Sequence, residues 1–347
     1  MEQTISTVVA REMTPSMFDA VDSLLGCLGL RRDADVELWA LAVEDGEIVG
    51  CMGLSGDVVK CSALAESVRG QNLLGQLLVE LRYAAIERGR PRLFAFTRPA
   101  YQRVFANMGF RALAQVPELA VLMEDDPRGI ERYVQSLAGA ARQGRRIGSV
   151  VVNANPFTLG HEHLIRHAAG HCDVVHVFVV GEDRSEFSYA ERLELVRAGV
   201  AALDEGDRIV VHGGSRYVVS ASTFPQYFLK DPAAVADACT GIDLQLFRNY
   251  IAPVLGIRHR YVGAEPANPV VAKYNADMPY WLTKLPAAAP AIKVHEIPRI
   301  GAADEPFVSA SRVRALLADG RLDAVRDLVP PTTFTHLRPT DAEGGKE

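Results

Sequence analysis

No apolar run in this 347-residue chain reaches the ~18 residues that a membrane-spanning helix needs. Cysteines are few and scattered: Cys27, Cys51, Cys61, Cys172 and Cys239, with no C-x-x-C spacing. That leaves no disulfide framework, and free thiols in a reducing cytoplasm are the expectation. Excess positive charge is also missing. Lys and Arg total 37 against 43 Asp and Glu, a net charge of −6, so a nucleic-acid partner held by a basic surface is not expected. The start, Met1-Glu2-Gln3-Thr4, has neither the basic nor the apolar region of a secretory signal, and a cytoplasmic location without membrane attachment is expected. No internal repeat is evident.

What is there is an ordinary globular balance, 48% hydrophobic and 23% charged residues. The length suggests two domains of about 150 residues each. A charged break at Glu124-Asp125-Asp126-Pro127 marks the border. The expected division is a first domain over 1–126, a helical connector over 127–146, a second domain over 147–338 and a polar, disordered tail over 339–347.

In the first part, Leu38–Val43 and Ile48–Leu54 read as strands joined by a turn at Glu44-Asp45-Gly46-Glu47. Residues 67–88 carry leucines at helical spacing, Leu93–Thr97 reads as a strand, and a short helix is expected over 101–107. The second part alternates strands and helices, as a parallel sheet requires. Strands are expected at 147–152, 174–180, 209–211, 259–262 and 293–297, with helices from about His161, over 190–203, across much of 227–251 and over 309–318.

The most informative stretch runs from Val150 to His161. A β-branched strand feeds Asn153-Ala154-Asn155-Pro156-Phe157-Thr158-Leu159-Gly160-His161, which opens into an apolar-periodic helix. Backbone N–H groups at a helix start favour an anion. Pro156 sets the turn, Gly160 allows close backbone approach, and Thr158 and His161 supply donors for a phosphate. Alone, Thr-x-Gly-His is equally a capped helix start with a surface histidine. A second motif, Val308-Ser309-Ala310-Ser311-Arg312-Val313-Arg314, is by itself an ordinary N-cap with solvated arginines. Their joint presence on one expected sheet favours a nucleotide-phosphate site.

Together these motifs resemble the nucleotidyltransferase superfamily of phosphopantetheine adenylyltransferases, whose fold is Rossmann-like. Ala310 stands where that pattern has a second serine. The order of Asn153–Leu164, Val177–Asp183, Ser222–Lys230, Val262–Pro266 and Ser309–Arg314 is similar to one branch, the citrate (pro-3S)-lyase ligase family. The resemblance implies a ligase that uses ATP and acetate to acetylate a thiol. That thiol belongs to the dephospho-CoA-derived arm of the acyl-carrier subunit of citrate lyase. AMP and pyrophosphate leave, and the lyase becomes active. It further implies catalytic roles for His161, Thr158 and Arg314, ATP contacts at Asn153, Asn155, Pro156, Phe157, Gly160, Gly263, Ser309 and Ser311, and Mg²⁺ bridging phosphate oxygens. A plain pantetheine-phosphate-type adenylyltransferase is the alternative, and a noncatalytic adaptor or an active N-acetyltransferase are further ones.

Other residues keep two readings. Arg184 and Arg192 either face the nucleotide or form surface ion pairs. Gly263 and Glu265 fall at a strand end where open α/β sheets bind ligands, though a tight turn explains Gly263 equally well. Tyr227, Phe228 and Lys230 either line a substrate pocket or pack. His163, His167 and His171 share a helix face, but three ligands along one helix span about 12 Å, and a structural role without metal is expected. Residues 68–78 resemble the acyl-CoA loop of GNAT-type acetyltransferases, and Phe105–Phe110 resembles that family's later signature. Asn72 and Leu74 stand at glycine positions of the loop, so a GNAT-like domain without efficient acetyl-CoA chemistry is expected, holding the carrier arm or docking the partner.

Overall fold

Two β-sheets with no strand in common organise the chain. The structure is a computed structural model and describes residues 5–181, 185–218, 227–229, 231–266, 268–300 and 307–338. Contacts divide it into two compact units, Met1–Arg132 with Phe224–Ile242, and Tyr133–Thr223 with Asp243–Glu347. The α/β class expected from the sequence holds in both.

The first unit is built on β1 (Ser6–Ala10), β2 (Leu38–Glu44), β3 (Glu47–Ser55), β4 (Val58–Leu64), β5 (Phe94–Thr97), β6 (Arg111–Val116) and β7 (Ala120–Glu124). Their order is β1-β2-β3-β4-β5-β7-β6, antiparallel except for β4 and β5. Asp45 and Gly46 both take positive φ, 49° and 87°, as a two-residue hairpin turn demands. Three helices are interleaved with these strands: α1 (Pro15–Cys27) after β1, α2 (Leu73–Glu87) after β4 and α3 (Gln102–Asn107) after β5. α2 buries Leu73, Leu77, Leu78, Leu81, Ala84 and Ala85 against the sheet. It starts later than the expected residue 67, because Gly70 (φ 88°) and Asn72 (φ 56°) are left-handed and interrupt the helical path. The division between units falls inside α4 (Gly129–Ala138).

Tyr227–Leu229 packs in this first unit. The Tyr227 hydroxyl donates to the Phe96 carbonyl at 2.8 Å, Arg98 donates to the Phe228 carbonyl at 2.6 Å, and the Arg31 N–H donates to the Tyr227 carbonyl at 3.1 Å. Both aromatics are buried, so packing accounts for them. Lys230 lies outside the described residues, as does the expected tail over 339–347.

The second unit holds β8 (Ile147–Val152), β9 (Val174–Val179), β10 (Ile209–His212), β11 (His259–Gly263) and β12 (Lys293–Ile297), all parallel, in the order β10-β9-β8-β11-β12. β9 is buried at all six positions, which is why it reads as a near-continuous apolar run. Helices α5 (Leu159–His171), α6 (Tyr189–Ala201), α7 (Pro232–Leu246), α8 (Ala252–Leu255), α9 (Pro269–Pro279), α10 (Ala310–Ala318) and α11 (Pro331–Leu337) complete it, α7 entering from the first unit. One sheet face packs Phe157, Ile165, Ala169, Leu195, Val196 and Tyr261. The other packs Phe178, Leu244, Phe247, Ile251, Met278 and Leu282. The chain builds outward from β8 to β10, then crosses over to β11. The crevice beyond the ends of β8 and β11 is therefore the topological switch point, where open parallel sheets bind ligands.

Candidate active site

At that switch point the end of β8 turns through Asn153–Phe157 into α5, with a cis bond between Asn155 and Pro156. Thr158 is the N-cap of α5. Its main-chain N–H donates to Nδ1 of His161 at 3.1 Å, and its hydroxyl lies 2.9 Å from the same nitrogen. A nitrogen that accepts an N–H bond carries no proton, so the neutral ring holds its proton on Nε2. Burial, with the nearby positive charge of Arg299, pushes the His161 pKa down to about 4. The ring is therefore a neutral donor at physiological pH. The Leu159 N–H is spent on the Leu328 carbonyl at 3.0 Å. Phe157 is wholly buried and stacks beneath the imidazole, with ring centroids 5.9 Å apart.

The sequence motifs do meet, through Arg314. Its Nη1 donates to the Asn155 carbonyl at 2.5 Å, its Nη2 lies 3.3 Å from Ser311 Oγ, and its Nε sits 3.4 Å from the Glu186 carboxylate. Ser309 caps α10 by accepting from the Arg312 N–H at 3.2 Å. Ala310 is the first residue of that helix. Ser311 does not cap; its hydroxyl orients Arg314. A Cβ on Gly160 would lie 3.4 Å from the Val308 carbonyl, so the two motif loops pass close together. Beside Gly263 a Cβ would meet nothing within 4 Å, leaving open space at the end of β11.

Several expected ligand contacts take other places. Thr158 is 1% exposed, and holding the imidazole occupies its hydroxyl. Phe157 is a core residue rather than a surface for a nucleotide. Arg192 is neither a phosphate contact nor a surface ion pair. It is fully buried, and its guanidinium donates to the carbonyls of Asn153 (2.7 Å), Val180 (3.0 Å) and Phe187 (3.2 Å) and to Asn153 Oδ1 (2.7 Å). It ties the ends of β8 and β9 to the loop before α6. Asn155 Oδ1 accepts the Phe187 N–H at 3.1 Å, fixing the same loop. Arg184 lies outside the described residues.

Sequence reasoning missed Arg299 and Glu186. Arg299 follows β12, donates from Nε to the Ala264 carbonyl at 2.8 Å and pairs with Glu265. Its place just past a parallel strand was the available signal. His163, His167 and His171 do share one face, His167 and His171 stacking at 4.3 Å, but no group of three potential metal ligands forms among the described residues.

In the first unit, Asn72 folds over the start of α2. A Cβ on Gly75 would come within 2.7 Å of the Asn72 side-chain oxygen. A cavity of about 430 Å³ lies beside it, lined in part by Thr7, Asn72, Gln76, Arg82 and Asn107. No helix among the described residues is long and apolar enough to cross a membrane.

A family model described as the citrate lyase ligase C-terminal domain matches residues 147–337. The [citrate [pro-3S]-lyase] ligase of Escherichia coli K12 is 44% identical over 309 residues, covering 89% of this chain and 87% of that protein. The one from Klebsiella pneumoniae is 44% identical over 319 residues, covering 92% of each. Among solved structures, an acyl-CoA N-acyltransferase from Pseudomonas aeruginosa matches 35% of this chain and all of its own, at 17% identity and a TM-score of 0.32.

Proposed function

The chain belongs to the citrate lyase ligase family, and from that premise we propose that it activates citrate lyase by an ATP- and acetate-dependent acetylation. The relatives lend nothing to a plain pantetheine-phosphate-type adenylyltransferase. The observation that carries the chemical reading is the locked imidazole of His161, a neutral Nε2–H donor at the mouth of a parallel sheet.

In the first step an acetate oxygen attacks the α-phosphorus of ATP. The bond to the bridging oxygen breaks, pyrophosphate leaves with the electron pair, and acetyl-AMP forms. Negative charge grows on the α-phosphoryl and the leaving group, so catalysis rests on positioning and preset donors. His161 Nε2–H serves the α-phosphoryl oxygens. A neutral donor suits this task, because it stabilises charge without losing its proton to the leaving group. Arg314 serves the β- and γ-phosphates, and Asn153, Asn155, Pro156, Gly160, Gly263 and Ser309 shape the nucleotide cleft. Mg²⁺ would be held chiefly by the phosphates of the nucleotide and would neutralise part of their charge.

In the second step the thiolate of the carrier's dephospho-CoA-derived arm attacks the acyl carbon. The thioester forms and AMP leaves. The first unit receives the carrier or its arm. Asn72, folded over the start of α2, opposes close approach of a pyrophosphate there, which fits docking better than acetyl-CoA turnover.

The test is pyrophosphate release from ATP and Mg²⁺ with and without acetate, then with the deacetylated carrier. Acetate-stimulated release or ATP–pyrophosphate exchange is expected. Release indifferent to acetate, even with carrier present, would overturn the reading.

A further inference from the structure

We propose that Arg299, outside both sequence motifs, binds the phosphates of ATP, and that Glu265 holds its guanidinium in place until the nucleotide displaces it. This rests on the site being an ATP site.

The sheet places the ends of β8, β11 and β12 side by side. Ala264, just past β11, donates its N–H to the Ile297 carbonyl at the end of β12 at 2.8 Å. That bond keeps the two exit loops together. Arg299 crosses back over it, giving Nε to the Ala264 carbonyl at 2.8 Å and Nη2 to the Glu265 carboxylate. The side chains are 22% and 15% exposed, so the pair is shielded but reachable from the crevice. Nη1 makes no hydrogen bond among the described residues. β8, which leads into α5, lies next to β11 in the sheet, and the charge of Arg299 adds to burial in lowering the His161 pKa.

Two features distinguish this from a loop staple. The first is electrostatic. A carboxylate beside a polyphosphate repels it unless a cation intervenes. Arg299 is that cation, and its planar fork matches a phosphate as well as a carboxylate. The second is repetition. Arg314, from the other side of the site, is likewise set against a carboxylate, Glu186 at 3.4 Å. Two arginines thus stand at the exit ends of neighbouring strands, Arg314 bonded to the turn after β8 and Arg299 to the loop after β11, each set against a glutamate. Both can exchange that partner for phosphate oxygens as ATP arrives, and the site stays charge-balanced without it.

Calorimetric titration of the full chain with ATP and with adenosine, on Arg299→Gln, Arg299→Lys and Glu265→Gln, tests this. Loss of charge-assisted bonds should weaken ATP binding of Arg299→Gln about 10- to 100-fold and leave adenosine unchanged. Lys should restore part of the loss. Glu265→Gln should tighten ATP several-fold, because the competitor for Arg299 is gone. Wild-type ATP affinity in Arg299→Gln would overturn the inference. So would equal losses for ATP and adenosine, or weakened ATP binding in Glu265→Gln, which needs no folded Arg299 variant. Failure of the wild-type chain to bind ATP would instead remove the ATP site itself, and this inference with it.

Discussion

The main-chain N–H of Thr158 donates to Nδ1 of His161 at 3.1 Å, so the residue that starts α5 also decides which nitrogen of the imidazole faces the crevice. Removing that ring should cost the transition state a preset donor worth on the order of 3 kcal/mol. His161→Ala should therefore lower kcat by ~100-fold or more, with melting behaviour near wild type. His161→Gln, which can offer an N–H near the Nε2 position, should lose less. Turnover of His161→Ala equal to wild type would remove His161 from the chemistry. Thr158→Ala keeps the backbone donor and loses the hydroxyl's contact with the imidazole, about 1 kcal/mol, so its activity should fall less than that of His161→Ala.

Much of this was legible in the sequence because backbone demands leave local marks. The strand before Asn153, the polar turn and the apolar period of α5 predict a helix opening at a strand end, and the structure has one. Ser309 was readable as a cap for the same reason. What local pattern cannot carry is the partner of a long side chain. Arg192 sits in α6 beside the charged Glu191, yet it points inward to carbonyls of the two loops that follow β8 and β9. Arg299 is a lone arginine in a loop, and only the loop after the neighbouring strand supplies Glu265 and Ala264. Tyr227 lies far along the chain from Phe96, and their hydrogen bond joins elements 131 residues apart.

Arg192 should tolerate no substitution well. Its guanidinium serves four acceptors in a fully buried setting, and a lysine ammonium cannot span that fork. Breaking such a set leaves buried carbonyls unmet, about 3 kcal/mol or more. Arg192→Lys should unfold at lower denaturant and lose activity through displacement of Asn153. Unaltered stability and activity in this variant would contradict the bracing role.

Acid should destabilise the second unit through its buried histidines. His161, His176 and His212 are all lowered to about 4 by burial. His176 and His212 also share a 2.8 Å contact, and a charge on His212 further disfavours protonation of His176. Unfolded, each titrates near 6.5. Between those values the unfolded chain binds more protons than the folded one, so stability falls as pH falls. The contribution is complete above about 6.5 and is lost on descent toward about 4. Melting temperature should drop across that window, and His176→Phe should flatten the slope. A melting temperature level from pH 7 to pH 4.5 would rule this out.

Gly199 tests how tightly the site is coupled to the core. Alanine in a helix is favoured over glycine by roughly 0.5–1 kcal/mol. At this position, however, a Cβ would come 2.3 Å from a ring carbon of Phe157, which is wholly buried. Overpacking of this kind costs typically 1–3 kcal/mol, so it outweighs the helical gain. Phe157 would have to move, and the imidazole it stacks on would move with it. Gly199→Ala should therefore lose both stability and turnover although it touches no substrate. Gly199→Ala with Phe157→Leu, which makes room, should regain stability more than activity, because the smaller side chain no longer supports the His161 ring. A single variant more stable than wild type would mean that the contact relaxes freely, and the coupling between α6 and the imidazole would fall.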